Sequence, residues 1–251
     1  MHDLEIFRFK KTSIRRKIAL YLSDIKNLKD CEYVIVHNEA MKRCLANEYN
    51  IPMKKVITLE IFDYLQNHTI KNNLLANNVI IAGNLDSKKC GYLSDLPNDV
   101  NWKLYGGGYE DKGIKNITYC GAYTPDELPR YLEGSFGLVW DGDSAESCTG
   151  VYGEYLKINN PHKTSLYLSS GIPVIVWEQA AIADFIKKNN CGFTVSSLKE
   201  IGKEIAEISE EEYSEMKHNA EEIAEKLRVG YYMEKTIETC IFKHEDYKKN
   251  A

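Results

Sequence analysis

The sequence predicts an α/β protein built on parallel, doubly wound sheets, and three observations carry that reading. Short apolar runs of four or five residues, at 79–82 (VIIA), 102–105 (WKLY), 117–120 (ITYC), 136–140 (FGLVW) and 173–177 (PVIVW), alternate with segments of helical pattern. Strands buried on both faces of a parallel sheet read as such unbroken runs. Four of the runs close on glycine, at Gly83, Gly106–Gly108, Gly121 and Gly142. The stretch from Asn160 to Trp177 reads as a helix entered from a loop, stopped by a glycine and followed at once by a buried strand.

Taken in order, residues 33–37 (YVIVH) read as a strand, and Asn38 caps a helix running through about Tyr49. Residues 56–62 (VITLEIF) read as a second strand. The polar, asparagine-rich segment 63–78 is the expected linker and domain boundary. The alternation then begins. Tyr119 is expected in the core, and Thr124-Pro125-Asp126-Glu127 reads as a capping box with proline at the first helical position. In the 160–177 unit, Asn160 is placed as N-cap, Pro161 at the first helical position and Gly171 at C′, with Pro173 barring continuation. Ser209 and Glu212 form another capping box, and Tyr213, Met216, Ala220, Ile223 and Leu227 make a helical core stripe. Gly230 interrupts, and 231–246 continue as a last helix.

Composition narrows the function classes. A net charge of -5 offers no footprint for nucleic acid. No window has the length of uninterrupted apolar residues that a membrane span needs. The basic segment Phe7 to Lys17 reads as a solvated face, leaving at most peripheral membrane contact. Seven cysteines, an odd number without a C-x-x-C spacing, and an opening unlike a signal peptide lead to an expectation of reduced thiols in the cytoplasm and no structural zinc.

Chemistry is expected beyond the carboxyl ends of the strands, where doubly wound sheets bind ligands. The start of the 160–171 helix gathers backbone N–H groups, Lys163 and the hydroxyls of Thr164 and Ser165, a setting for anionic oxygens and above all phosphate. Lys88 and Lys89 read either as surface residues or as diphosphate contacts. Tyr123, just past a strand, is placed to stack on a planar base. The glycines serve tight turns or admit a ligand close to the backbone. The connection 141–159 carries Asp141, Asp143, Glu146, Gly150, Tyr152, Glu154 and Tyr155, a mixture of acids and aromatics that suits a sugar, although a solvated surface excursion has the same composition. Asp141-Gly142-Asp143 is a D-x-D spacing and the one challenge to a metal-free site.

The motif P-x-K-x-x-x-Y-L-S-x-G-x-P-V-I-V, with Pro161, Lys163, Tyr167, Leu168, Gly171, Pro173 and Val174, resembles the nucleotide-sugar half of GT-B glycosyltransferases. The longer run GVYGEYLKINNPHKTSLYLSSGIPVIVW is similar to the bacterial Gtf3-type glucosyltransferase and β-1,6-galactofuranosyltransferase group, as are Val36-His37-Asn38-Glu39 and Leu59-Glu60-Ile61-Phe62-Asp63-Tyr64-Leu65. The resemblance implies two Rossmann-like domains facing across a cleft. Residues 1–66 would be a partial, incomplete acceptor-side domain, 67–228 the nucleotide-sugar domain, and 229–251 a helix packing back on the first. It implies a UDP-sugar donor without metal or other cofactor, and a hexose passed to a glycan or glycoprotein acceptor by a homo-oligomer. Nucleotide contacts carry over to Asn160, Pro161, His162, Lys163, Thr164, Ser165, Tyr123 and Lys88 or Lys89, with Gly150, Tyr152 and Glu154 in the donor-sugar loop. Leu166 stands where many such enzymes place a ribose-binding glutamate. His2, Asp3 and Glu5 are the expected candidates for the general base. A non-catalytic nucleotide-binding partner and a UDP-sugar epimerase are the rival readings.

Overall fold

A computed structural model describes residues 4–249 apart from Lys11 and Asn72. The first lobe opens with α1 (Glu5–Arg8), α2 (Ile14–Leu20) and, after a π-helical turn, α3 (Lys26–Asp30). Strand β1 (Val34–Val36) leads into α4 (Glu39–Tyr49), and β2 (Val56–Thr58) pairs parallel with β1. Asn38 caps α4 as expected, its Oδ1 accepting from the Met41 amide at 2.9 Å. The second strand is shorter than its apolar pattern. The ladder ends where the Leu59 amide donates to the Val36 carbonyl, and the buried side chains of Leu59 and Ile61 belong to the core of the second lobe.

The second lobe holds a six-stranded parallel sheet in the order β5-β4-β3-β6-β7-β8. Its elements are β3 (Asn78–Ala82), β4 (Asn101–Tyr105), β5 (Ile117–Tyr119), α5 (Leu128–Tyr131), β6 (Phe136–Val139), α6 (Gly150–Tyr155), α7 (His162–Ser169), β7 (Val174–Trp177), α8 (Ala183–Asn189), β8 (Gly192–Val195), α9 (Ile201–Glu207) and α10 (Glu210–Val229). Chain order runs outward from β3 through β4 to β5, then restarts at β6 and runs the other way. The switch point therefore lies between β3 and β6. Strand β8 was not expected: its Gly-Phe-Thr-Val is only half-buried on the sheet edge and lacks an apolar run. Tyr119 corrects another expectation. Strand β5 is the opposite edge, and the ring lies 36% exposed with its hydroxyl donating to the Gly106 carbonyl.

Helix α7 packs its buried face between β6 and α10. Gly137 of β6 makes this approach possible, because a Cβ there would overlap the Tyr167 ring. Gly171 sits at φ +68, the left-handed position that ends the helix. The Ser209–Glu212 capping box is present, and all five stripe residues of α10 are buried. The Thr124 box is half formed: Glu127 accepts from the Thr124 amide and hydroxyl, but regular helix begins only at Leu128. Helix α11 (Tyr231–Lys249) returns to the first lobe, where Asp63 accepts from the Tyr232 and Met233 amides at 3.1 and 2.7 Å and His244 meets Glu32. Segment 62–77 contains no helix or strand among its described residues. It is tied to the second lobe by Gln66, which donates to Ser169, and by Tyr64, which donates to the Pro125 carbonyl. All seven cysteines are free.

Replacing Gly137 by alanine is expected to destabilise the protein by about 1–3 kcal/mol, because the added methyl must displace a ring at the centre of the core. Urea denaturation of the two proteins checks this.

Candidate functional site

The carboxyl ends of the two sheets face each other, and the groove between them at the switch point is a cleft of about 370 Å³. The first lobe contributes Arg8, His37 and Phe62. The second contributes Gly83 and Asn84 after β3, Lys89, Asp141 after β6, Tyr152 and Tyr155 of α6, and the entry to α7 from Asn159 to Lys163. This volume falls in the range of small-molecule sites.

Asn160 has a different task from the one its position suggested. Pro161, in extended backbone, takes the N-cap position of α7, and no side chain caps the helix. The Asn160 side chain crosses to the first lobe instead. Its Nδ2 donates to the His37 carbonyl at 3.0 Å and the Glu60 carbonyl at 2.6 Å, and its Oδ1 accepts from Asn38 Nδ2 at 2.7 Å. Its backbone N–H donates to His37 Nδ1 at 3.2 Å, so the neutral imidazole carries its proton on Nε2. Glu60 adopts φ +73, which costs an L-residue about 1–2 kcal/mol and is held by these contacts. With its polar atoms engaged in this way, the Asn160 side chain holds the lobes together and does not reach toward a ligand.

Thr164 and Ser165 also depart from expectation. They occupy the third and fourth helical positions, which rotate away from the cleft. Both are fully buried, and Ser165 Oγ donates to the Phe62 carbonyl at 2.6 Å. His162 does face the cleft, its ring stacked on Phe62 with centroids 4.4 Å apart. Lys163 is the centre of the site's charge. Its Nζ donates to Asp141 Oδ1 at 2.7 Å and to the Trp140 carbonyl at 3.0 Å, with the side chain only 10% exposed. Burial is the largest influence and would discharge it, but the Asp141 charge, the neighbouring Cys90 and Tyr167 and the hydrogen bond to Asp141 together hold its pKa above the ordinary lysine value. Lys89 stands 3.9 Å from the other oxygen of Asp141. Its pKa is depressed by burial and then by the charge of Lys163. The D-x-D spacing is therefore not a ready metal site: Asp141 is neutralised by two lysines, and the Asp143 carboxylate lies against Gly150.

Other expected residues fall outside the cleft. Lys88 lies on the surface, where its amide donates to Asp86. Gly150 starts α6 at φ +75, and Glu154 turns outward to Lys157 at 2.8 Å; of the donor-loop set, only Tyr152 lines the cleft. Glu146 pairs with Lys199, so the two glutamates of that loop do not converge. The 141–159 connection is no solvated excursion, since Ala145, Cys148, Gly153 and Tyr155 are buried within it. Tyr123 lies past the far edge of the sheet, stacked on Tyr131 at 4.0 Å. Between it and the cleft, the strand ends at Gly83, Gly107 and Gly121 form a ledge without side chains. A Cβ at Gly83 or Gly107 would meet nothing within 4 Å. Among the base candidates, His2 and Asp3 lie outside the described residues, and Glu5 gives its carboxylate to Arg8 at 2.6 Å. Arg8, His37 and Phe62 are cleft residues that sequence reasoning missed. The signal available was polar His37-Asn38 directly after a strand, the place where such sheets bind ligands.

Two parallel sheets opposed at their carboxyl ends, with a cationic cleft at the switch point, define a GT-B glycosyltransferase fold. Residues 79–240 match the glucosyltransferase 3-like C-terminal domain and residues 1–61 the N-terminal domain of the same family. The chain belongs to that family. It is 38% identical over 226 residues to β-1,6-galactofuranosyltransferase WbbI of Escherichia coli (strain K12), covering 87% of this chain and 66% of that protein. It is 27% identical over 221 residues to glucosyltransferase 3 of Streptococcus gordonii, covering 85% of this chain and 62% of that one. The chain thus spans less than two thirds of the length of either relative. The crystal structure of Anabaena Alr3699/HepE in complex with UDP shares the fold, with a TM-score of 0.60 at 15% identity over 96% of this chain and 70% of that one.

Replacing Asn160 by alanine is expected to cost about 2–4 kcal/mol, since it leaves the buried His37 carbonyl and the partly buried Glu60 carbonyl without their donor. Chemical denaturation measures the loss, and hydrogen exchange should show it as faster opening at the start of α4.

Proposed function

We propose that this chain acts in a hexosyltransferase that takes a glucose- or galactofuranose-class sugar from a UDP-sugar. The acceptor is a sugar on a glycoprotein or surface-polysaccharide precursor. The reading places the enzyme in the cytoplasm as a homo-oligomer, with at most peripheral membrane contact. No described helix is long and apolar enough to cross a membrane. The observation that carries the proposal is the charge of the cleft. In a chain of net charge -5, Arg8, Lys89 and Lys163 line it, with Asp141 the one carboxylate among its described lining residues and Glu5 paired to Arg8 behind it. Such a cluster suits a diphosphate. From it the glycine ledge crosses the ends of β3 and β4 to Tyr123 beyond β5. Neighbouring strands lie about 4.8 Å apart, so the path from phosphate to aromatic ring has the reach of an extended nucleoside diphosphate. The activities for which the two relatives are named, glucosyl and galactofuranosyl transfer, support a hexose. The UDP complex of the structural neighbour supports the nucleotide.

In the proposed reaction, the acceptor oxygen bonds to the anomeric carbon while the bond from that carbon to the β-phosphate oxygen breaks. The electron pair leaves with UDP, and the acceptor proton passes to a general base drawn from His2, Asp3 and Glu5. The lysines and the start of α7 stabilise the departing diphosphate by preorganised charge, the part a metal would otherwise play.

Calorimetry should show UDP binding that is tighter than NAD binding and unchanged by EDTA. Equal or tighter NAD binding would sink the reading. Lys89→Ala should weaken UDP about tenfold while leaving uridine within about twofold, as expected for loss of one charge-assisted contact to phosphate. Sugar turnover that requires no acceptor would favour the epimerase alternative.

A further inference from the structure

At the carboxyl end of β6 one carboxylate faces two ammonium groups. Asp141 Oδ1 accepts from Lys163 at 2.7 Å, while Oδ2 stands 3.9 Å from Lys89. The carboxylate side chain is 8% exposed. An ammonium has three N–H donors. Lys163 spends one on Asp141 and one on the Trp140 carbonyl, and it lines the cleft. These two bonds fix the ammonium so that its remaining donor is aimed, with no rotamer search needed when an anion arrives.

The surroundings leave Asp141 alone in this task. Cys90 and Tyr92, from the segment after β3, and Tyr167 of α7 are all kept neutral by burial. Arg8, from the first lobe, adds positive charge. Among the described residues no other carboxylate is in ion-pair range of either lysine. Two ammonium groups in a poorly hydrated site repel strongly, and one would shed its proton without a counter-ion.

We propose that Asp141 is a positioning residue that aims Lys163 at the cleft and keeps Lys163 and Lys89 charged side by side, so that they meet a diphosphate as a double cation. The ligand in this inference rests on the nucleotide reading above; the hold of Asp141 on the lysines does not.

Two measurements on the whole chain test it. In protein labelled with carbon-13 at lysine Cε, NMR titration of the wild type should find Lys163 among the last lysines to lose its proton and Lys89 among the first. In Asp141→Asn both should deprotonate at lower pH. By calorimetry, Asp141→Asn should weaken UDP about tenfold or more at pH 7 and progressively further up to pH 9, with uridine held within about twofold throughout. Asp141→Glu should restore the flatter pH profile. A merely structural role predicts otherwise: equal losses for UDP and uridine at every pH, or lysine titrations unmoved, would overturn the proposal. Loss of UDP affinity in EDTA with recovery in Mn²⁺ would also overturn it, by making Asp141 a metal ligand. If Asp141→Asn does not fold, the wild-type titration decides alone, and a Lys163 that titrates with the surface lysines refutes the aiming. A wild type that binds no UDP would refute the nucleotide reading and the ligand named here, while the lysine titration would still judge the ion cluster.

Discussion

The cleft exists because one asparagine joins two sheets. Asn160 donates to carbonyls that follow both strands of the first lobe, His37 after β1 and Glu60 after β2, and accepts from the residue that caps α4. Both lobes thereby present their strand ends to the same space. The same residue precedes Pro161 and α7, so the point that joins the lobes also sets where Lys163 emerges. Buried backbone carbonyls that lose a donor cost more than the bond itself contributes, which makes this junction hard to vary.

Charge in the cleft follows from the same placement. Arg8 approaches from the first lobe, held over the Tyr155 ring at 4.9 Å and against Glu5. Lys89 and Lys163 rise from the second, with Asp141 between them. Parallel strands buried on both faces offer few polar atoms of their own, so the polar chemistry is confined to the turns beyond them. Glycines at those turns leave the backbone bare, and the cations have an unobstructed approach to whatever lies on the ledge.

Much of this was legible in the sequence, for reasons that also explain what was not. Strands β3, β6 and β7 announce themselves because burial on both faces leaves no polar residue to interrupt the apolar run, and β4 is interrupted only by the half-buried Lys103. Strand β8 does not, because an edge strand carrying Gly192 and Thr194 has no such run. The 56–62 pattern overstates β2 because Leu59 and Ile61 are apolar for the sake of the other lobe's core. Lys163 was found from helix-start chemistry, but its partner Asp141 lies 22 residues away and leaves no local trace. Asn160 has the residue type of an N-cap, and only the tertiary contact to a segment 123 residues distant explains its use. Arg8, His37 and Phe62 are cleft residues by virtue of the lobes' meeting, which no local pattern encodes.

The two amides at the start of α11 bond to Asp63 across 169 and 170 residues of chain. Synthesis proceeds at roughly 5–20 residues per second, so about 10–30 s separate the appearance of the carboxylate from that of its partners. Within that interval the whole sequence of the six-stranded sheet, from Asn78 to Val195, is made, while the first lobe still waits for the helix that covers it. The first lobe is thus made before the second yet secured after it, and the nascent chain carries it unfinished while the second lobe is synthesised.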